Sequence, residues 1–131
     1  MKRADRMKEK ILIIEDSKTQ IEYLKMCLKD YELVISKTGQ GGMNAAFFNK
    51  PDLILLDLTL PDVEGLQLCR SLNEGLKDIP IIILTTRSEV EKAFKAGSAD
   101  YLKKPFNKKE LLSRIETRLE MSKVNKITKG I

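Results

Sequence analysis

Apolar and polar positions along the 131-residue chain follow two rhythms in turn. Five short runs, Lys10–Ile14, Tyr31–Ser36, Leu53–Leu56, Ile79–Leu84 and Tyr101–Leu102, are largely apolar at consecutive positions. Runs of that length are too short for free-standing helices, and side chains apolar on both faces fit strands buried on both sides. Between the runs, apolar residues recur at three- and four-residue spacing. The sets are Ile21, Leu24, Cys27 and Leu28; Met43, Ala46 and Phe47; Leu66, Cys69 and Leu72; Val90, Ala93 and Phe94; and Leu111, Leu112, Ile115 and Leu119. Each set predicts a helix with one inward face. The punctuation agrees: Ser17 can cap the first helix, and Asn107, with Glu110 three residues on, can cap the last. Pro51 stops the second helix and Gly97 the fourth.

Regular alternation of strand and helix implies right-handed crossovers and a parallel sheet covered on both faces. The expected fold class is α/β: a flavodoxin-like, doubly wound, five-stranded parallel sheet in the order 2-1-3-4-5, with five helices. Ligands bind such sheets at the carboxyl ends of the strands, beside the point where the order reverses. Glu15 and Asp16 end the first strand, Asp57 the third and Thr85 the fourth, while Lys103, Lys104 and Pro105 follow the fifth. Taken singly, each reads as a turn cap, a strand end or a solvated lysine. Together they place three carboxylates, a hydroxyl and an ammonium on one rim.

Composition narrows the chemistry. The chain is long enough for one domain with a real core, and 42% hydrophobic and 33% charged residues suit a soluble globular protein. The start, through Lys10, is charged with no apolar signal region behind it, and nothing approaches a membrane span, so a cytoplasmic setting is expected. The net charge of +5 is concentrated at the two ends around a nearly neutral middle, and no nucleic-acid-reading motif accompanies it. Cys27 and Cys69 are isolated and lack metal-ligand spacing, which suits reduced structural thiols. There is no histidine, which removes imidazole catalysis, imidazole metal ligation and a self-supplied phosphohistidine.

Crowded carboxylates are relieved most readily by a divalent cation, and an oxygen-only donor set favours Mg²⁺. A carboxylate beside such a cation, with an ammonium and a hydroxyl opposite, is suited to attack phosphorus and become an aspartyl phosphate. Positioning and charge neutralisation would supply most of that catalysis.

Several motifs then fall in order: the acidic pair Glu15 and Asp16; Asp57 with Pro61 and Gly65; Thr85; and the run Asp100 to Phe106, Asp-Tyr-Leu-Lys-Lys-Pro-Phe. With these the chain resembles the response-regulator receiver domains of bacterial two-component signalling over residues 10 to 120. The resemblance implies that Asp57 is the phosphoacceptor and Asp16 a Mg²⁺ ligand, with Glu15 assisting through water. It implies that Thr59 lends its backbone carbonyl to the metal, that Lys104 rather than Lys103 pairs with the phosphoryl group, and that Thr85 hydrogen-bonds it. Tyr101 would be the aromatic that reports the state of the site to the surface. The implied partners are a histidine kinase or phosphotransfer protein as donor and an output domain or downstream protein as receiver of the signal, with a homodimer forming on phosphorylation. Neither direct nucleic-acid binding nor a membrane is implied. The domain would phosphorylate and slowly dephosphorylate itself and would not be an enzyme with turnover.

The chain departs from that pattern in two places: the second helix is unusually glycine-rich at its start, with Gly39, Gly41 and Gly42, and the chain is about one helical turn short between Thr85 and Lys104. The shortening bears on the usual dimer and on how far Tyr101 transmits a signal. The expected division is a basic extension over 1–9, a receiver domain over 10–121, and a tail or linker to an output domain over 122–131. An Asp-nucleophile phosphohydrolase of the haloacid dehalogenase type would need a second aspartate two residues after Asp57, where Thr59 stands. A flavodoxin-type carrier would need a phosphate loop where Glu15 and Asp16 stand. A pseudo-receiver that docks partners without phosphorylation leaves the acceptor, metal and lysine set without a purpose.

Overall fold

The computed structural model describes residues 8–129, so residues 1–7 of the basic extension and residues 130–131 lie outside the described residues. The apolar runs become β1 (Lys10–Ile14), β2 (Glu32–Ser36), β3 (Leu53–Asp57), β4 (Ile81–Thr85) and β5 (Asp100–Lys103). They alternate with α1 (Lys18–Cys27), α2 (Gly39–Asn49), α3 (Gly65–Gly75), α4 (Val90–Lys95) and α5 (Lys108–Lys129). All pairings are parallel and the order is β2-β1-β3-β4-β5, as the alternation predicts.

Successive side chains of a strand face opposite ways, and here each face finds its own helices. Leu12, Ile14, Ile54, Leu56 and Ile83 pack with Ala46 of α2, Leu68, Cys69 and Leu72 of α3, and Ala93 of α4. Ile11, Ile13, Leu53, Leu55, Ile82 and Leu84 pack with Leu24 and Leu28 at α1 and with Leu111, Ile115 and Leu119 of α5. The register sets Ile14 opposite Leu56, Asp57 opposite Leu84 and Thr85 opposite Lys103. The carboxyl ends are therefore level across four strands, and the residues just beyond them share one rim.

Local signals account for the joints. Ser17 Oγ accepts from the Gln20 N–H at 3.3 Å and Asn107 Oδ1 from the Glu110 N–H at 2.7 Å. Gly65 opens α3 where a Cβ would lie 2.4 Å from the Leu58 Cα and carbonyl oxygen, so only glycine lets the helix start this close to the β3 exit.

Two expectations are corrected. Phe47 does not line the inner face of α2: Gly42 and Ala46 meet the sheet and Phe47 is 43% exposed, because the helix lies too close for an aromatic ring. In α4, only six residues long, Ala93 alone is buried, and Val90 and Phe94 are about half exposed. The stretch from Ser122, expected as a tail or linker, is helical as far as Lys129, where it continues α5. Among the described residues no helix is long and apolar enough to cross a membrane.

Candidate functional site

Backbone pairing runs one residue past β1 and β5 to deliver Glu15 and Lys104, while Asp57 and Thr85 are the last residues of β3 and β4. The Glu15 N–H donates to Ser36 O at 3.0 Å, continuing the β1–β2 ladder and leaving the Glu15 side chain only 2% exposed. The Lys104 N–H donates to Thr85 O at 2.8 Å in the same way at the β4–β5 edge. Lys104 Nζ then donates to Asp57 Oδ2 at 2.8 Å and to Glu15 Oε1 at 3.2 Å. One ammonium thus bridges two buried carboxylates. Lys103, one residue earlier, faces the other way, with its Nζ 2.7 Å from Ser88 Oγ at the surface.

The remaining oxygens of the two carboxylates accept backbone N–H groups: Asp57 Oδ1 from Thr59 at 2.8 Å, and Glu15 Oε2 from Ser17 at 3.1 Å. Burial, with the adjoining Asp57 carboxylate adding to it, pushes the Glu15 carboxyl up to about 7, against the opposing pull of the Ser17 N–H and Lys104. For Lys104, burial favours the neutral amine, but the hydrogen bond and charge of Asp57, then Glu15, outweigh it and hold the ammonium above its usual range. Once Glu15 ionises, these two buried carboxylates and the half-buried ammonium carry two negative charges and one positive.

Asp16 follows Glu15 on the rim and is exposed. Among the described residues no group of three or more acidic, thiol or imidazole side chains is drawn together around a metal position. In kind, the donors fit a hard divalent cation: Glu15, Asp16 and Asp57 offer only oxygens, and the two cysteine thiols are buried elsewhere in the core.

Thr85 and Tyr101 are both buried, at 1% and 8% exposure. Thr85 Oγ1 accepts from the Arg87 N–H at 3.2 Å, and the Tyr101 hydroxyl accepts from the Glu89 N–H at 3.3 Å. Tyr101 therefore already stands inward in this structure.

Three contributors escape a reading of the sequence. Asp62 accepts from the Gly39 and Gln40 N–H groups at 2.7 and 3.0 Å, so the loop after β3 caps α2. Glu64 caps α3 through the Gln67 N–H at 3.0 Å, a role its place just before Gly65 could have signalled. Arg87 pairs with Glu64 and Glu89 across two loops. No local pattern announces partners 22 or 23 residues away.

The response regulator receiver domain family model matches residues 11–116. Response regulator ArlR of Staphylococcus saprophyticus is 38% identical over 115 residues, covering 84% of this chain and 52% of that protein. Transcriptional regulatory protein CusR of Escherichia coli K12 is 40% identical over 115 residues, covering 84% and 51%. The chain thus spans about half the length of these curated relatives. The crystal structure of a CheY-like response regulator receiver domain protein from Methanospirillum hungatei superposes with a TM-score of 0.85 at 27% identity, covering 89% of this chain and 98% of that one. Fold, rim and sequence agree, and the chain belongs to the response regulator receiver domain family.

Proposed function

We propose that Asp57 is the phosphoacceptor of a two-component signalling step, taking a phosphoryl group from the phosphohistidine of a partner histidine kinase or phosphotransfer protein. The observation that carries this reading is the Lys104 ammonium bound to Asp57 at 2.8 Å on the carboxyl rim of the sheet. An Asp57 carboxylate oxygen attacks phosphorus, the P–N bond to the donor imidazole breaks, and the imidazole leaves with the electron pair and gains a proton. These 131 residues contain no histidine, so the donor imidazole lies outside them.

Glu15, Asp16, Asp57 and the backbone carbonyl of Thr59 would hold Mg²⁺, which when bound supplies charge neutralisation for the incoming phosphoryl oxygens. Lys104 transfers one of its N–H donors from a carboxylate to a phosphoryl oxygen. The Thr85 hydroxyl, which accepts from Arg87, keeps its own hydrogen to donate. Thr85 and Tyr101 then report the charge to the surface of α4, where Val90 and Phe94 stand exposed, and an output domain, a downstream protein or a second copy reads it. Hydrolysis of the acyl phosphate resets the domain. The setting in this reading is the cytoplasm, in keeping with the two free, buried thiols.

The test is incubation with acetyl phosphate and Mg²⁺, read by intact mass. The wild type should gain one phosphoryl group and Asp57→Asn none; equal labelling removes Asp57 as acceptor. The inward Tyr101, held by the Glu89 N–H rather than by any group at Asp57, favours a second reading, in which the domain docks its partner unphosphorylated. Under that reading Asp57→Asn would bind the partner as tightly as the phosphorylated wild type.

A further inference from the structure

We propose that Arg87 is a positioning residue, clamped between Glu64 and Glu89 so that the β4–α4 loop is held in the form that docks Thr85 and Tyr101. The Arg87 guanidinium contacts Glu64 Oε1 at 3.4 Å and, through its other terminal nitrogen, Glu89 Oε1. The same two residues whose side chains pair, Arg87 and Glu89, give their backbone N–H groups to the Thr85 and Tyr101 hydroxyls. The ion pair and the two switch hydrogen bonds are therefore one mechanical unit.

The anchor lies on the opposite side of the site. Glu64 caps α3 and is bridged to Thr59, whose N–H holds Asp57. Arg87 thus ties the β4–α4 loop to the loop that leaves the acceptor strand. Among the described residues few other contacts steady that loop, one being Lys92 Nζ, 3.7 Å from Glu89 Oε2. Glu89 opens α4 with no side-chain capping bond, and α4 has only six residues. The Lys103–Ser88 contact ties the loop to β5 but not to the acceptor side.

Preorganisation of this kind lowers the ordering cost of binding. Resting on the phosphoacceptor reading, the expectation is that Arg87 favours the phosphorylated state and its beryllofluoride analogue. Removing it frees the loop, so that Thr85 and Tyr101 must be ordered at the moment of binding.

The experiment compares wild type, Arg87→Gln, Arg87→Lys and Glu89→Gln by backbone and aromatic NMR, first without ligand and then titrated with beryllofluoride and Mg²⁺. Without ligand, Arg87→Gln and Glu89→Gln should move the Glu89 amide and the Tyr101 ring resonances, the ring gaining solvent contact. Their half-saturating beryllofluoride concentration should rise about 2- to 10-fold, as loss of one or two partly exposed ion pairs implies. Arg87→Lys, which keeps the cation, should recover most of both effects. An unmoved Tyr101 ring in both variants, or half-saturation unchanged or lowered, overturns the proposal. A wild type that does not respond to beryllofluoride removes the phosphoacceptor reading instead, and the ligand-free spectra still decide whether Arg87 holds the switch.

Discussion

Burial of Glu15 beside Asp57 has a measurable consequence for stability. A carboxyl that titrates at 4.5 in the unfolded chain and about 7 in the fold binds its proton more tightly when folded. Its contribution is fully present below pH 4.5 and is lost as pH rises through 7. At 1.36 kcal/mol per pH unit the loss is about 3 kcal/mol, a large share of the roughly 5–15 kcal/mol that holds a domain folded. The chain has no histidine, so no other side chain ordinarily titrates between pH 5 and 8 and the slope can be assigned. Glu15→Gln keeps an acceptor for the Ser17 N–H and can donate to Asp57, mimicking the protonated acid. Urea unfolding at pH 5, 6, 7 and 8 without divalent cation, followed by circular dichroism, should show wild-type stability falling by about 2–3 kcal/mol and the variant nearly level. Above pH 7 the variant should be the more stable protein. A flat wild-type profile, or an equal slope in Glu15→Gln, would refute the assignment of a buried, proton-sharing Glu15.

Lys104→Ala leaves two buried carboxylates without their cation and should cost about 3 kcal/mol at pH 8 and much less at pH 5, where Glu15 is protonated; equal losses at the two pH values would contradict the bridge. Gly65→Ala drives a Cβ to 2.4 Å from the Leu58 backbone, so the β3 exit must move; a loss of about 1–3 kcal/mol in urea unfolding is expected, and an unchanged midpoint would show that the joint yields. The Gln40 and Gly39 N–H groups hold the Asp62 carboxyl below its usual 3.8, so its stabilising contribution is present above that pH and lost as acid protonates it. Asp62→Asn should therefore unfold at lower temperature at pH 6 but converge with the wild type under strong acid, as calorimetry would reveal. Added Mg²⁺ should flatten the wild-type pH profile by drawing the proton from Glu15, and a profile indifferent to Mg²⁺ would count against the proposed donor set.

Where order in space follows order in the chain, the sequence was legible. The five apolar runs, the strand order and the strand-end residues Glu15, Asp57, Thr85 and Lys104 all follow from periodicity and topology. Phe47, Val90 and Phe94 did not, because spacing says which residues share a helix face but not how closely that helix approaches the sheet. The last turns of α5 were hidden for a different reason. Ser122 to Lys129 is polar and basic, and its helicity reflects continuation from a packed helix rather than any inward stripe of its own. The Arg87 bridge was the least legible feature, since its partners come from separate loops and surface charges carry no periodic mark.

The charge balance of the rim connects its stability to its proposed use. With Glu15 ionised, the trio is one positive charge short, and burial, with Asp57 beside it, raises the Glu15 carboxyl to about 7. The attacking Asp57 oxygen gives up its own charge on forming the acyl phosphate, so a phosphoryl group of about −1.5 to −2 adds a net charge of about −0.5 to −1. Lys104 is already committed to two carboxylates and cannot neutralise that addition alone, and Arg87, the nearest candidate in the β4–α4 loop, is committed to Glu64 and Glu89. Phosphorylation therefore requires a cation from outside the chain, or the transfer of Lys104 from Glu15 with the proton kept on that carboxyl. The two routes differ in their pH dependence. Neutralisation by an added cation should make the labelling rate climb with Mg²⁺ concentration and with pH through 7, as the proton leaves Glu15. Neutralisation by a retained proton should make the rate independent of Mg²⁺ and fall over the same interval, and Glu15→Gln should then label as fast as the wild type at pH 5.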